Sequence, residues 1–166
     1  MERRIRKVGE LPVLGWKEHV ELPEWGLRLR GKLDTGARSS ALHVACYQTV
    51  AAPDEDGGGA GTEDEPEQVR FEVVLGTRRA PRHHTIVAPL AGHRRVRDTG
   101  ARAETRPVVR TRIVCGPLDT EADITLTDRT GMNFRMLLGR LTLEGRALVD
   151  PAHGYLVTGK RARSER

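Results

Sequence analysis

Apolar and charged residues alternate with a period of two along several short runs of this chain. Leu27, Leu29 and Leu33 are interleaved with Arg28, Arg30 and Lys32. Val69, Phe71, Val73 and Leu75 follow the same pattern with Arg70 and Glu72, as do Ala122, Ile124 and Leu126 with Asp123 and Thr125. A period of two puts successive side chains on opposite faces of a strand, one buried and one solvated. The other segments fit the same class. Ala41–Tyr47 reads as a strand, Thr77–His84 as a polar turn and Thr85–Leu90 as a short strand. His93–Arg97 and Thr105–Val114 read as the arms of a long hairpin with its tip near Gly100. Met136–Leu138 is a short apolar run ending at Gly139, and Leu141–Leu143 starts a short helix. Ala147–Val149 and Tyr155–Val157 read as closing strands. With 18 glycines and 9 prolines for turns, the expectation is an all-β chain closed into a small barrel or sandwich.

A length of 166 residues fits one domain with a real core. Aromatics make up only 4%, so that core rests on Leu, Val, Ile and Ala. No stretch reaches the 18 or so apolar residues of a membrane span, and Met1–Val8 is charged and lacks an apolar signal core. The expected location is therefore cytoplasmic, with no membrane partner. In that compartment Cys46 and Cys115 are expected to be free, buried thiols, and no CxxC or Cys/His cluster surrounds them.

The net charge is +5, unevenly spread. Residues 51–68 hold seven acids and no base, which leaves 28 bases against 16 acids elsewhere. Basic surfaces attract nucleic acid, anionic membranes or acidic peptides. Arginine outnumbers lysine 24 to 4, so a genome-wide bias accounts for much of the excess. Few aromatics and no recognised reader motif argue against nucleic acid as a partner. Residues 51–68 carry too little apolar surface to pack and read as an acidic disordered insertion.

The chemistry-bearing motif is Asp34-Thr35-Gly36-Ala37, directly after the strand Leu27–Leu33. A strand-ending aspartate with a hydroxyl and a glycine behind it presents a carboxylate compactly, and the glycine permits close backbone approach. Alone, such a stretch is more often a plain turn. The second piece is Met136-Leu137-Leu138-Gly139-Arg140. Aspartic peptidases pair a strand ending in Asp-Thr-Gly with a strand ending in two aliphatics and a glycine, crossing near the site. The separation of roughly 100 residues suits a single-lobed enzyme, and the hairpin between them stands where such enzymes carry a flap over the substrate.

The chain resembles the bacterial retropepsin-like aspartic peptidase family long labelled "ATP-dependent zinc protease". The resemblance is carried by Leu14–Glu18, Gly31–His43, Leu126–Arg129, Met132–Arg140 and Leu148–Pro151, and covers most of residues 13–157. It implies a small closed barrel of the retropepsin type with a flap hairpin and one short helix. The implied layout is a flexible basic start at 1–12, a peptidase domain at 13–158 holding the insertion 51–68 and a flap at 92–108, and a basic tail at 159–166. Members are often linked with ATP-grasp ligases that add amino acids to proteins or small peptides. The insertion departs from the family, and so does the tip: many relatives carry Ser-x-Gly there, and this chain has Asp98-Thr99-Gly100-Ala101.

A second Asp-Thr-Gly raises the question of two lobes in one chain. The two motifs lie only 64 positions apart, and a lobe needs roughly 100 residues to form a core. Asp98 follows Arg94–Arg97 rather than an apolar strand, so it reads as a flap turn residue. One credible carboxylate per chain implies a homodimer with Asp34 from each protomer as the catalytic pair. The resemblance gives Thr35 a bracing role, Gly36 and Ala37 a supporting one with Gly36 against substrate backbone, Gly139 the crossing point, and Arg140 a structural ion pair.

The label's zinc and ATP find no support in the residues. There is no HExxH or short-spaced His pair, and no Gly-rich loop with Lys-Ser or Lys-Thr. His83 and His84 are adjacent and would point to opposite faces of a strand, while His19, His43, His93 and His153 are scattered. Ser39-Ser40 has no credible base neighbour. The expectation is an enzyme without metal or cofactor that hydrolyses a peptide or protein. Residues 92–112 carry seven arginines (Arg94, Arg95, Arg97, Arg102, Arg106, Arg110 and Arg112) against Asp98 and Glu104, which favours an acidic substrate. The competing reading is a retropepsin-fold binding or regulatory module, without peptidase activity, that serves ATP-grasp peptide ligases.

Overall fold

The computed structural model describes residues 7–50, 67–77, 79–97, 103–127, 131 and 133–159. Its strands run in chain order β1 (Lys7–Val8), β2 (Leu11–Gly15), β3 (Lys17–Leu22), β4 (Leu27–Leu33), β5 (Ser40–His43), β6 (Cys46–Val50) and β7 (Gln68–Thr77), then β8 (Ala80–Pro89), β9 (Gly92–Arg97), β10 (Ala103–Cys115), β11 (Leu118–Thr127), β12 (Met136–Leu138) and β13 (Leu148–Asp150). One short helix, α1 (Arg140–Leu143), and a 3-10 turn at Pro23–Trp25 complete the described elements.

Six strands close into a ring in the order β11, β5, β12, β4, β3, β10 and back to β11, with β9 paired to the free half of β10. Closure removes the exposed edges that an open sheet would leave. The all-β barrel and its single short helix are as the alternation and the resemblance predict. Along β4 the period is direct: Leu27, Leu29, Gly31 and Leu33 are buried, and Arg28, Arg30 and Lys32 lie on the other face. Gly31 is glycine for space, since a Cβ there would lie 2.5 Å from Val20 Cγ2 on β3. The interior is aliphatic, with Leu22, Leu42, Ile113, Ile124, Leu126 and Met136 fully buried. Phe71 joins them from the three-stranded sheet β6-β7-β8 and takes the edge of Trp25 at 5.3 Å. A third sheet, β1-β2-β13, brackets the ring.

Several expectations are corrected. Residues 80–84 belong to strand β8, not to a turn; β7 and β8 stay paired out to Thr77 and Ala80. The expected strand Ala41–Tyr47 is two strands. It breaks where the Val44 N–H donates to Thr127 O and the Ala45 N–H to Glu72 O, which carries the chain from the ring to the second sheet. Tyr155–Val157 is a turn, not a strand. The expected flexible start at 1–12 contains β1 and the first residues of β2. Cys115 is buried and its thiol is pushed up by desolvation, but Cys46 is exposed; neither is in a disulfide. Most of the expected acidic insertion, residues 51–66, lies outside the described residues, and so does the hairpin tip with Asp98, Thr99 and Gly100.

Candidate active site

Asp34 is the first residue past β4. Its N–H donates to Leu138 O at 2.8 Å, so the parallel pairing of β4 with β12 reaches one residue beyond the strand. β12 lies between β4 and β5, parallel to the first and antiparallel to the second. The loop 34–39 that links β4 to β5 therefore passes over the end of β12. The two motifs singled out in the sequence meet here through backbone hydrogen bonds.

The crossing is tight. A Cβ on Gly139 would lie 2.5 Å from both the carbonyl carbon and oxygen of Ser39, so any side chain would push the loop off β12. Gly139 N–H donates to Ser40 Oγ (3.1 Å), which shares a 2.6 Å hydrogen bond with Thr142 Oγ1 on α1. Arg140 N–H donates to Ala37 O at 2.8 Å. The Arg140 guanidinium donates to Thr35 O and Gly36 O at 3.0 and 3.1 Å. The resemblance predicts an ion pair for Arg140. Instead it ties down two carbonyls of the Asp34 loop and so fixes the loop's shape.

Both Asp34 carboxylate oxygens are held. Oδ1 accepts from Gly36 N–H at 3.0 Å and Oδ2 from Lys32 Nζ at 2.9 Å. The Lys32 hydrogen bond holds the carboxyl below the usual carboxylate range. Partial burial opposes this, and the Gly36 and Ala37 N–H groups add to it. Thr35 and Gly36 are exposed and Ala37 is half-buried. Sequence reasoning missed Lys32, although the signal is present: residues two apart on a strand share a face, which puts Lys32 beside Asp34.

The hairpin arms are as expected. β9 and β10 pair antiparallel from Gly92 opposite Val108 to Arg97 opposite Ala103. Arg94 on β9 reaches the Asp34 loop, donating to Ser39 Oγ at 3.1 Å and to Asp123 Oδ2 at 3.4 Å. Asp123 also accepts from Arg110 Nε at 3.0 Å. Arg112 pairs with Asp119, and Arg106 with Glu104. Four of the seven arginines expected to face substrate are thus matched by acids of the chain, while Arg95 and Arg97 are exposed on the face of β9 opposite Arg94. Among the described residues no three His, Cys, Asp or Glu side chains group as a metal site. His83 and His153 each sit beside one carboxylate, Glu72 and Asp150.

A family model described as retropepsin-like aspartic endopeptidase RimB matches residues 13–160. A probable alpha-L-glutamate ligase of Parasynechococcus marenigrum is 35% identical over 140 residues, which is 84% of this chain and 28% of the relative. A probable alpha-L-glutamate ligase of Desulfotalea psychrophila is 28% identical over 141 residues, with the same coverage. The chain thus spans less than a third of the length of these curated relatives. A crystal structure of a Legionella pneumophila protein of unknown function superposes with a TM-score of 0.64 at 25% identity, covering 86% of this chain and 95% of that one. The paired β4 and β12 motifs, the six-stranded ring and the match across the folded region agree: the chain belongs to the RimB-like family of retropepsin-like aspartic endopeptidases.

Proposed function

We propose that the chain is an aspartic endopeptidase that acts as a homodimer, each protomer supplying one Asp34 carboxylate. The observation that carries the reading is the position of Asp34, held at both oxygens on a loop packed against the Leu138-Gly139 crossing. Two carboxylates at close range cannot both ionise freely, so they share a proton. The ionised one accepts a proton from a lodged water, and the protonated one polarises the scissile carbonyl. Water attacks without a covalent intermediate, and the amine leaves with a proton returned from the pair. Thr35 and Gly36 are exposed beside the carboxylate, which supports giving them contact with the partner loop and the substrate backbone.

The substrate we infer is an acidic, glutamate-rich peptide. The relatives' names as glutamate ligases and the exposed Arg95 and Arg97 support it. The test is cleavage of a Glu-rich and a neutral peptide by the wild type and Asp34→Asn, with and without a chelator. The expected outcome is loss of at least about a thousandfold in Asp34→Asn with the fold intact, since removing one member of a catalytic unit costs that much, together with activity that persists in chelator. Zinc-restored activity after chelation would refute the reading.

The relatives also favour a second reading, a binding or regulatory module attached to a glutamate ligase, because the chain matches only a part of proteins so named. A wild type as inactive as Asp34→Asn, yet able to bind a ligase or its glutamylated product, would select it.

A further inference from the structure

Lys32 is half-exposed on the outer face of β4, opposite Lys17 on β3 and Leu137 on β12. Its Nζ lies 2.9 Å from Asp34 Oδ2, with the Lys32 side chain 44% and the Asp34 side chain 25% exposed. The pairing is a product of strand geometry. Leu33 points into the core, so Lys32 and Asp34 project together from the other face.

We propose that Lys32 is a positioning residue for Asp34, fixing its carboxylate and offsetting part of the negative charge that two facing aspartates bring together, so that the peptidase works at lower pH than a bare aspartate pair would. The inference rests on the peptidase reading above.

The other charged groups around the loop are committed elsewhere or exposed. The Arg140 guanidinium is spent on the Thr35 and Gly36 carbonyls. Lys17 Nζ lies over the rings of Trp16 at 4.4 Å and Tyr155 at 5.5 Å. Arg94 is engaged by Ser39 and Asp123, and Arg38 is exposed. Among the described residues, Lys32 is the charged side chain that acts on Asp34.

The sign follows from the chemistry. A shared-proton pair is active after its first proton has left and before the second does, and both steps belong to the pair as a unit. A cation beside one carboxylate favours the anion and moves both steps to lower pH. Removing it moves both limbs of the rate profile upward. A facing opposite charge shifts a carboxylate by about one to three units. The Lys32 side chain is 44% exposed, so solvent weakens this effect without changing its sign.

The experiment compares wild type with Lys32→Met, Lys32→Gln and Lys32→Arg by two readouts. One is the carboxyl 13C titration of Asp34, assigned by its loss in Asp34→Asn. The other is the pH profile of kcat/KM on a Glu-rich peptide. The neutral variants should move the Asp34 midpoint and both limbs of the profile to higher pH, while Lys32→Arg should stay close to wild type. Two neutral variants are included so that a folding failure of one leaves the other to decide. Titration curves and profiles of the neutral variants that overlay wild type would overturn the proposal, as would Lys32→Arg shifting as far as Lys32→Met. If the wild type has no peptidase activity the functional reading fails, and the 13C titration still decides whether Lys32 governs the Asp34 carboxyl.

Discussion

Glu18 shows how one side chain can replace a strand. Its carboxylate is fully buried and accepts from the backbone N–H groups of Gly15 (2.8 Å), Leu156 (2.7 Å), Val157 (3.2 Å) and Thr158 (3.1 Å), and from the Thr158 hydroxyl. A buried charge persists only when hydrogen bonds satisfy it, and here amides from two distant segments do so. A glutamine in its place would keep the volume but turn an amide NH2 toward amide donors, leaving at least one buried donor unpaired at about 1–3 kcal/mol. Glu18→Gln should therefore lower unfolding free energy by about 2 kcal/mol, measured by denaturant titration, and should speed amide exchange at Leu156–Thr158 before the ring opens. Exchange at those amides unchanged from wild type would refute the anchoring role. In the sequence Glu18 appears as one letter of a short matching stretch. Nothing in its type or neighbours distinguishes it from the solvated acids, because all its donors but the Gly15 N–H lie near residue 157.

At the level of elements, a side chain joins the hairpin to the Asp34 loop. Among the described residues β9 pairs along its backbone with β10 alone, so Arg94 is its tie to the loop through Ser39 and to the ring through Asp123. Arg94→Ala should loosen the base of the hairpin without opening the barrel. The expected outcome is a rise of about tenfold in KM, equivalent to about 1.4 kcal/mol, with a smaller change in kcat. Ser39→Ala should give part of that effect, and the double variant should give less than the sum, because the residues share one hydrogen bond. Additive effects would show that the two act separately. Of the strands that sequence patterning located, β4, β7 and β11 have one face on the core, whereas the hairpin strand β9 has no buried residue. Patterning located the second half of β8, as Thr85–Leu90, and missed its start because residues Ala80–Arg82 lie on the exposed end of an edge strand, where backbone pairing with β7 suffices and no apolar side chain is required. It overcalled Tyr155–Val157 because the Leu156 and Val157 N–H groups there go to the Glu18 side chain rather than to a neighbouring strand. The two site motifs were legible because short, specific residue strings encode them. The Arg140 and Arg94 contacts were not, since each spans more than fifty residues to reach the loop.

For the whole molecule, the decisive quantity is the number of chains in the active particle. Each chain offers one Asp34 in this site, and a shared-proton pair needs two, so the proposed peptidase reading requires two loops to face each other across a twofold axis. The surface beside the loop is suited to being covered. Thr35 and Gly36 are exposed, and Leu141, whose N–H donates to Arg38 O, leaves 41% of its surface in water. A stable interface buries about 800 Å² per partner with apolar residues at its centre, and a charge placed there is costly because it loses water without gaining a partner. Leu141→Glu should therefore shift the protein from dimer to monomer. Sedimentation equilibrium should give twice the 18.4 kDa chain mass for the wild type and the chain mass for the variant. Peptidase activity should fall with the dimer fraction and recover as protein concentration is raised, whereas far-UV circular dichroism should still report a folded barrel, because Leu141 lies outside the buried core. Mixing wild type with excess Asp34→Asn tests the pairing without disturbing the surface: mixed dimers hold one aspartate, so activity should fall below that of the same wild-type concentration alone. A preparation that sediments wholly as monomer and keeps full activity would show that one chain suffices, and would require the second acid to come from elsewhere in the same chain.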